Sequence, residues 1–406
     1  MTIGVGGVSQ QAALEKLQDM TAGAAPIAKE EFQERVEKLQ SLLKENGADA
    51  VYLHAGTNLY YFTGLKWNPS ERMVAAVIPA EGEIQYIAPH FEQDTLRDYW
   101  LLPAPIHGWH EHESPYRLFT EILGQLGIRG GKVLLDESTP YFIYTGLSLE
   151  NPDVSFSAAQ PITQALRSRK SVAELALIQR AHEMTMEVHK AAASILEEGI
   201  STSEVVEFID RAHRKVGASA GSYFCIVLFG VATSFPHGVK EAQKLKLDDW
   251  VLIDTGCSLH GYLSDTTRSF SFGTANADQT KAWEAEKAAQ LAAFAAVKVG
   301  VPCEAADDAA RLSLSESGYG PDYELPGLPH RTGHGCGLDI HEGPNLVRGE
   351  KTPMEAGMVF SNEPMLVVPD KFGVRLEDHF YMTSEGPKWI TQPCFSLDDP
   401  FGIKQG

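Results

Sequence analysis

The chain has 406 residues, of which 43% are hydrophobic and 22% charged, and its formal net charge is -20. This length favours two domains over a single hydrophobic core. The acidic excess argues against nucleic acid and against an anionic membrane surface as partners, because both require clustered lysine and arginine. No apolar run reaches the roughly 18 residues that a bilayer-spanning helix needs.

Five cysteines are scattered along the chain without a CxxC pair. This usage favours free thiols in a reducing compartment over a disulfide framework or a thiolate zinc site. The first twenty residues lack the basic start and apolar core of a signal peptide. We therefore predict a cytoplasmic protein that binds neither nucleic acid nor membrane.

In the first part of the chain, a polar, alanine-rich leader (residues 1–30) precedes alternating helical and strand-like segments. A helix that begins near Glu30 stops near Gly47 and leads into a strand. Further strands are predicted at 73–80, 83–90 and 129–138, with helices at 94–100 and 114–127. This alternation predicts an α/β domain over residues 31–165.

The pattern changes near residue 166, where we place the boundary to a second domain, 166–406. Two capping boxes, each a serine followed three residues later by a glutamate, start long helices at Ser171 and Ser201. Further helices are predicted from about 278 to 300 and from 304 to 318. Strand pairs lie between and after these helices, which predicts an α+β domain.

Two aspartates, Asp254 and Asp265, flank a glycine-containing turn between strand-like segments. If the two-residue loop is Leu259-His260, the aspartates face each other directly, with Cβ atoms roughly 5 Å apart. If the loop is His260-Gly261, Asp254 faces Thr267, and Asp265 is its diagonal neighbour on the same face. Either register brings two like charges together, which destabilises a hairpin unless a cation neutralises them.

A second acidic pair, Glu363 and Glu377, is centred on Asp370, and a three- or five-residue loop there brings both carboxylates to one face. The segment HRTGHGCGLDIHEGP, 330–344, places three histidines among glycines, which allow the backbone to approach a ligand. Four carboxylates with one imidazole favour Mn²⁺, Fe²⁺ or Co²⁺ over structural zinc. Carboxylates able to bridge suggest two ions with a hydroxide between them, and therefore hydrolysis of an amide or ester.

These motifs resemble those of the pita-bread-fold metallopeptidases, the family of methionine aminopeptidase, aminopeptidase P and prolidase. The matching segments are DTGCSLHGYLSDTTR, PHG at 236–238, HRTGHGCGLDIHEGP, SNEP at 361–364 and GVRLEDH at 373–379. In the first half, TNLYYFTGL at 57–65 resembles the start of the non-catalytic domain of prolidase, aminopeptidase P and creatinase. The resemblance implies an α+β pita-bread catalytic domain preceded by an α/β creatinase-like N-terminal domain.

The resemblance also implies two bound divalent ions, with Mn²⁺ as the first choice and Co²⁺, Fe²⁺ or Zn²⁺ as alternatives. The implied metal ligands are Asp254, Asp265, His334, Glu363 and Glu377. In this family pattern, Asp265 and Glu377 bridge the two ions. Glu363 is then the catalytic group that accepts the proton of the bridging water.

Four further residues acquire roles from the same resemblance. His237 and His341 resemble donors to the scissile carbonyl and the tetrahedral oxyanion. His330 lines the substrate pocket, and Arg375 supports the site by ion pairing. One position departs from the pattern: Leu259 stands where members that cleave at proline usually carry a tyrosine, which bears on substrate choice and metal preference.

The function implied by the resemblance is a dimetal exopeptidase of prolidase type, which cleaves the Xaa-Pro bond of dipeptides and forms a homodimer. Aminopeptidase P, which accepts longer peptides, has similar motifs. A creatinase-like hydrolase of small amides and a non-catalytic binding protein are more distant alternatives, and the intact ligand set argues against both.

A histidine-rich segment, HGWHEHE at 107–113, could suggest a second metal site. Histidines on a loop need further ligands from elsewhere in the chain to bind a metal ion, and we find no such ligands in the sequence. We therefore predict a solvated loop for this segment.

Overall fold

The structure is a computed structural model that describes residues 2–405. It divides into two compact units. The N-terminal unit is Ile27–Arg167, and the C-terminal unit begins at Ser168 and also includes the residues up to Pro26. Among the described residues, no helix combines the length and the apolar character needed to cross a bilayer.

The first segment of the chain packs on the C-terminal unit. Helix α1 (Gln10–Lys16) is capped by Ser9, whose side chain accepts the N–H of Ala12. The backbone N–H groups of Gly6 and Val8 donate to carbonyls of the helix that ends at Ser194. The predicted leader, residues 1–30, is therefore divided in the structure: the residues up to Pro26 belong to the C-terminal unit.

The N-terminal unit alternates helices and strands, as the sequence predicts. Its helices are α2 (Lys29–Glu45), α3 (Thr57–Thr63), α4 (Gln93–Tyr99), α5 (Pro115–Gln125), α6 (Tyr141–Glu150) and α7 (Gln160–Arg167), with a 3₁₀ turn at His90–Glu92. Its strands are β1 (Ala50–His54), β2 (Ala75–Pro79), β3 (Gln85–Pro89), β4 (Ile106–Trp109), β5 (Gly131–Leu135) and β6 (Val154–Ala158).

These strands form one mixed sheet in the order β4-β3-β2-β1-β5-β6. Strand β2 runs antiparallel to both of its neighbours, whereas β1, β5 and β6 are parallel. Every residue of β1, β2 and β3 is buried. Burial on both faces explains why these strands are continuous apolar runs in the sequence.

The C-terminal unit carries the remaining elements. Its helices are α8 (Val172–Ser194), α9 (Thr202–Lys215), α10 (Ala277–Ala296) and α11 (Glu304–Glu316), with 3₁₀ turns at Gly230–Ser234 and Ile403–Gln405. Its strands are β7 (Ser222–Phe229), β8 (Trp250–Leu259), β9 (Tyr262–Leu263), β10 (Thr266–Ser271), β11 (Gly333–Gly335), β12 (Glu342–Leu346), β13 (Val359–Asn362), β14 (Met365–Val368), β15 (Phe372–Arg375), β16 (Asp378–Thr383) and β17 (Gly386–Trp389). Both predicted capping boxes are formed at the starts of α8 and α9.

Three sheets organise this unit. Their orders are β10-β8-β7 with β9 paired to β8, then β12-β11-β13-β16-β17, and finally the hairpin β14-β15. A single core cluster spans these sheets and helices α10 and α11, and includes Trp250, Ala289, Ala310, Phe360 and Phe380. The chain's acidic hairpins therefore lie on a closely packed scaffold.

Candidate metal centre

The first acidic pair lies on the hairpin of β8, β9 and β10. Its two-residue loop is His260-Gly261, so Asp254 faces Thr267 across the ladder. The φ angles are 49° at His260 and 92° at Gly261, as a type I′ turn requires. The register that would oppose Asp254 and Asp265 directly is wrong, because its loop would force the bulky Leu259 to positive φ.

A glycine allows the Asp265 segment to approach β8. A Cβ atom at Gly256 would lie 1.8 Å from the carbonyl oxygen of Ser264. The Ser264 hydroxyl accepts the N–H of Cys257 at 2.9 Å, in place of a regular ladder bond. A side chain at position 256 would therefore displace the residue directly before Asp265.

The second acidic pair flanks the hairpin β14-β15. The loop has three residues and is centred on Asp370, whose φ is 59°, so the three-residue alternative is confirmed. The Glu377 N–H donates to the Thr267 carbonyl at 3.0 Å, and the Thr267 hydroxyl donates to the Glu377 carboxylate at 2.7 Å. Because Thr267 faces Asp254, these bonds bring Glu377 beside the first acidic pair.

His334, on β11, points one ring nitrogen at the carboxylates. Its Nδ1 lies 2.9 Å from the carbonyl oxygen of the next residue, so Nδ1 carries the proton. Its Nε2 lies 3.0 Å from Oε1 of Glu363 and 3.9 Å from Oδ2 of Asp265. A Cβ atom at Gly333 would lie 2.1 Å from the carbonyl oxygen of Ser361, so glycine is required for this approach.

The predicted ligands converge on one buried site. Ligand atoms of Asp265, His334 and Glu377 lie within 4.8 Å of one another. Two buried oxygens, Oδ1 of Asp254 and Oε1 of Glu377, have no hydrogen-bond partner among the described residues. Buried acceptors normally have partners, and cations satisfy them as well as hydrogen-bond donors do. The oxygen-rich donor set with one imidazole therefore fits divalent cations such as Mn²⁺.

The carboxylates repel one another. Burial raises the pKa of Asp265 and of Glu377 well above the ordinary values, and the neighbouring carboxylate charges raise both further. Burial also raises the pKa of Asp254. Burial alone would raise the pKa of Glu363, but the hydrogen bond and charge of His334 oppose it and bring this pKa to about 2. Bound cations would favour the ionised form of all four groups.

Arg375 connects the carboxylates to a neighbouring loop. Its Nη2 pairs with Oδ2 of Asp254, and both side chains are buried. Its Nε donates to the Thr267 hydroxyl at 3.0 Å, and its Nη1 donates to the Pro236 carbonyl at 3.3 Å. Because Pro236 precedes His237, one guanidinium holds both a predicted ligand and the segment that carries a predicted oxyanion donor.

The three remaining histidines gather around His334 and Glu363. His341 is exposed, its ring lies 4.2 Å from that of His334, centroid to centroid, and desolvation together with the charge of His334 lowers its pKa to about 4. His330 is partly buried, and its buried Nε2 has no partner among the described residues. His237 is exposed, yet its charge is among the causes that lower the pKa of both His330 and His341.

The histidine-rich segment 107–113 differs from this site. His107 lies on β4, with Nε2 2.8 Å from Oε1 of Gln85. His110 and His112 are exposed and stack with ring centroids 5.9 Å apart. In the part of the chain that the structure describes, these side chains do not form a group close enough to share a metal ion.

Sequence reasoning missed two buried histidines beside the ligands. His182 on α8 and His379 on β16 have ring centroids 4.5 Å apart. Nε2 of His182 lies 3.3 Å from the backbone nitrogen of Asp265. The available signal was a polar stripe along α8, in which His182, Thr185 and His189 recur at helical spacing. His379 ends the matching segment GVRLEDH, two residues after Glu377, and its place in that motif was the available signal.

Two family models match the chain. Residues 176–384 match metallopeptidase family M24, and residues 35–169 match the creatinase/prolidase N-terminal domain. Both matches lie in the halves where the sequence predicts such domains. The fold and the family inferred from the motifs are therefore confirmed.

Relatives match over nearly the whole chain. The putative dipeptidase YkvY of Bacillus subtilis is 33% identical over 360 residues, which cover 88% of this chain and 97% of the relative. The structure of dipeptidase PepE from Mycobacterium ulcerans has a TM-score of 0.85 at 29% identity, covering 92% and 99% of the two chains. The Xaa-Pro dipeptidase of Bacillus anthracis has a TM-score of 0.79 at 27% identity, covering 89% and 98%. The chain therefore belongs to metallopeptidase family M24, with a pita-bread catalytic domain preceded by a creatinase/prolidase N-terminal domain.

Proposed function

We propose that this metallopeptidase is a prolidase-type exopeptidase that cleaves the Xaa-Pro bond of dipeptides and uses two divalent ions, with Mn²⁺ preferred. The observation that carries the proposal is the convergence of Asp265, His334 and Glu377 within 4.8 Å, beside buried carboxylate oxygens that lack partners. The names of the relatives, a putative dipeptidase and an Xaa-Pro dipeptidase among them, support the substrate class.

The proposed ligands are all buried or nearly so, and most of them are acids: Asp254, Asp265, His334, Glu363 and Glu377. The family resemblance implies that Asp265 and Glu377 would each hold both ions, and the charges of neighbouring carboxylates, after burial, raise the pKa of both. When bound, the ions would ionise a water near neutral pH and polarise the peptide carbonyl. Arg375 holds the Asp254 carboxylate in its orientation by the buried ion pair.

Glu363 is the proposed proton carrier. It accepts the proton from the attacking water and passes it to the proline nitrogen that leaves. Its side chain is 13% exposed, compared with 7% for Asp265 and 2% for His334, so it is the most exposed of these three side chains. A group that exchanges a proton with substrate must be reachable in this way.

His237 and His341 are proposed to donate hydrogen bonds to the scissile carbonyl and to the oxyanion that forms from it. Both are exposed, so substrate can reach them. The buried Nε2 of His330 has no partner among the described residues, and a polar group of the substrate would satisfy it.

The departure at Leu259 affects no proposed ligand. Leu259 is buried at the end of β8. The nearest tyrosine along this hairpin, Tyr262, donates its hydroxyl to Glu174 at 2.8 Å. We therefore propose that the reaction proceeds without the tyrosyl group that relatives cleaving at proline usually have here.

A substrate panel tests the proposal. Xaa-Pro dipeptides, Xaa-Pro tripeptides and proline-free dipeptides are incubated with Mn²⁺-loaded protein, with Glu363→Ala as the inactive variant and Glu355→Ala, an exposed glutamate in a surface ion pair, as its control. We expect the unmodified protein and Glu355→Ala to hydrolyse the Xaa-Pro dipeptides, and Glu363→Ala not to do so. Cleavage of the longer peptides alone would reassign the protein to aminopeptidase P. Activity that survives exhaustive chelation would favour creatinase-like chemistry, and no cleavage at all would contradict the proposal.

We further propose that the protein works as a cytoplasmic homodimer. The five cysteines are all unpaired, which supports a reducing compartment. The dimer is proposed from the family resemblance. Light scattering of the purified full chain measures its mass in solution, and a monomeric mass would contradict the proposed dimer.

A further inference from the structure

Helix α8 presents three buried polar side chains to a short stretch of main chain at the metal centre. His182, Thr185 and His189 are all fully buried and lie on one face of the helix, at spacings of three and four residues. They contact three consecutive residues. Thr185 lies 2.8 Å from the Ser264 hydroxyl, His182 lies 3.3 Å from the Asp265 nitrogen, and His189 lies 2.9 Å from the Thr266 carbonyl. The helix thus holds both sides of a proposed bridging ligand.

The amide of Asp265 requires such a partner. Ser264 and Asp265 lie between β9 and β10, outside the paired strand residues. Strand β10 is at the edge of its sheet, whose order is β10-β8-β7, and on its outer side the backbone contact with Glu377 is made at Thr267, two residues beyond Asp265. A buried backbone N–H without an acceptor would be strongly unfavourable. Nε2 of His182 supplies the acceptor.

The two bonds of His182 fix its tautomer. Nδ1 lies 2.9 Å from the carbonyl oxygen of Ile178, so Nδ1 must carry the proton. Nε2 is then an acceptor and suits the N–H of Asp265. The ring of His379, 4.5 Å away, packs against this imidazole. The orientation of His182 is therefore determined by its own helix before any metal is considered.

We infer that His182 is a positioning residue of the metal centre, which fixes the main chain at Asp265 and thereby the carboxylate that this residue presents to the ions. The inference rests on the proposed function, because the role of Asp265 as a ligand belongs to that proposal. Partners of this kind, one shell outside the ligands, typically change metal affinity by about 10- to 100-fold when they are removed. His182 acts through a backbone amide, so its contribution depends on acceptor geometry and not on charge.

Calorimetric titration of the full chain with Mn²⁺ tests this inference. His182→Met removes the acceptor while keeping a large side chain, and His182→Gln keeps an acceptor oxygen. His54→Met is the matched control, because His54 is also fully buried and its Nδ1 also makes one hydrogen bond, to the Tyr52 hydroxyl at 3.0 Å in the N-terminal unit. Asp265→Ala serves as the reference for loss of a ligand.

We expect His182→Met to weaken Mn²⁺ binding by about 10- to 100-fold, His182→Gln to restore most of the affinity, and His54→Met to bind as the unmodified protein does. The inference would be overturned if His182→Met bound Mn²⁺ with unchanged affinity, or if His182→Met and His182→Gln lost affinity equally. In either case, a loss of affinity in Asp265→Ala would still support the proposed metal centre. An unmodified protein that binds no Mn²⁺ would overturn both. If His182→Met does not fold, His182→Asn replaces it, since its shorter amide is expected to lose affinity relative to His182→Gln.

Discussion

Two ion pairs at adjacent positions allow a direct test of how burial sets the strength of a salt bridge. Lys170 Nζ lies 2.9 Å from Oε2 of Glu342, and the two side chains are 2% and 5% exposed. Arg169 Nη1 lies at the same distance, 2.9 Å, from Oε2 of Glu355, but these side chains are 45% and 47% exposed. We predict that Lys170→Met destabilises the protein strongly and that Arg169→Met does not.

The magnitude follows from what each substitution leaves behind. Lys170→Met removes the ammonium that pairs with the buried Glu342 carboxylate, and removing one partner of a buried pair typically costs about 3–5 kcal/mol. The N–H groups of Leu338 and Asp339 still donate to this carboxylate at 3.0 and 3.1 Å, so we expect the lower end of that range, about 3 kcal/mol. Loss of the exposed pair in Arg169→Met should cost about 1 kcal/mol or less.

Thermal unfolding of the two variants at one fixed Mn²⁺ concentration measures the difference. A loss of about 3 kcal/mol corresponds to a decrease in Tm of roughly 6–12 °C for a domain of this size. The double variant Lys170→Met/Glu342→Gln should be more stable than Lys170→Met alone, because the buried carboxylate charge is then removed together with the ammonium. Equal Tm shifts for Lys170→Met and Arg169→Met would refute the reasoning.

Three further predictions concern the metal centre and its surroundings. Gly256→Ala should abolish Mn²⁺ binding, because its Cβ would lie 1.8 Å from the Ser264 carbonyl oxygen; Gly124→Ala, where a Cβ meets nothing within 4 Å, is the control. Burial lowers the pKa of His213 to about 4 from 6.5, against the charge of Asp210. The unfolded chain then binds a proton that the folded chain excludes, so this histidine should reduce stability by about 3 kcal/mol as the pH falls from 6.5 through 4. In His213→Gln, denaturant midpoints at pH 7 and pH 4.5 should differ less than in the unmodified protein, and an equal difference would contradict this. Chelation should remove peptidase activity and lower the Tm, with Mn²⁺ restoring both; an unchanged Tm after chelation would show that the native state gains no stability from metal.

Local signals explain how much of the fold could be predicted from the sequence. The capping boxes at Ser171 and Ser201 depend on residues three positions apart, and both are formed. The local sequence allows two registers for the first acidic hairpin, since both give a two-residue turn. The glycine at position 261 favours the observed one, because it tolerates positive φ whereas Leu259 does not.

Partners far apart in sequence could not be predicted in the same way. Lys170 and Glu342 are 172 positions apart, and neither stands out from the many charged residues that lie on the surface. The contact between His182 and Asp265 depends on how α8 lies against an edge strand, which is a property of tertiary packing. Motif resemblance indicated the proposed ligands, but it carried no information on a residue such as His182, whose proposed role is through a backbone amide.

The wide spacing of the proposed ligands along the chain has a consequence for synthesis on the ribosome. Asp254 and Asp265 are translated more than a hundred residues before Glu377, a delay of roughly 5–20 s at ordinary elongation rates. During that interval α8 and the first acidic hairpin are already complete, so His182 can hold the Asp265 amide before the second hairpin exists. The full set of proposed ligands is present only once Glu377 has been added, so the nascent chain holds part of the proposed site during that interval.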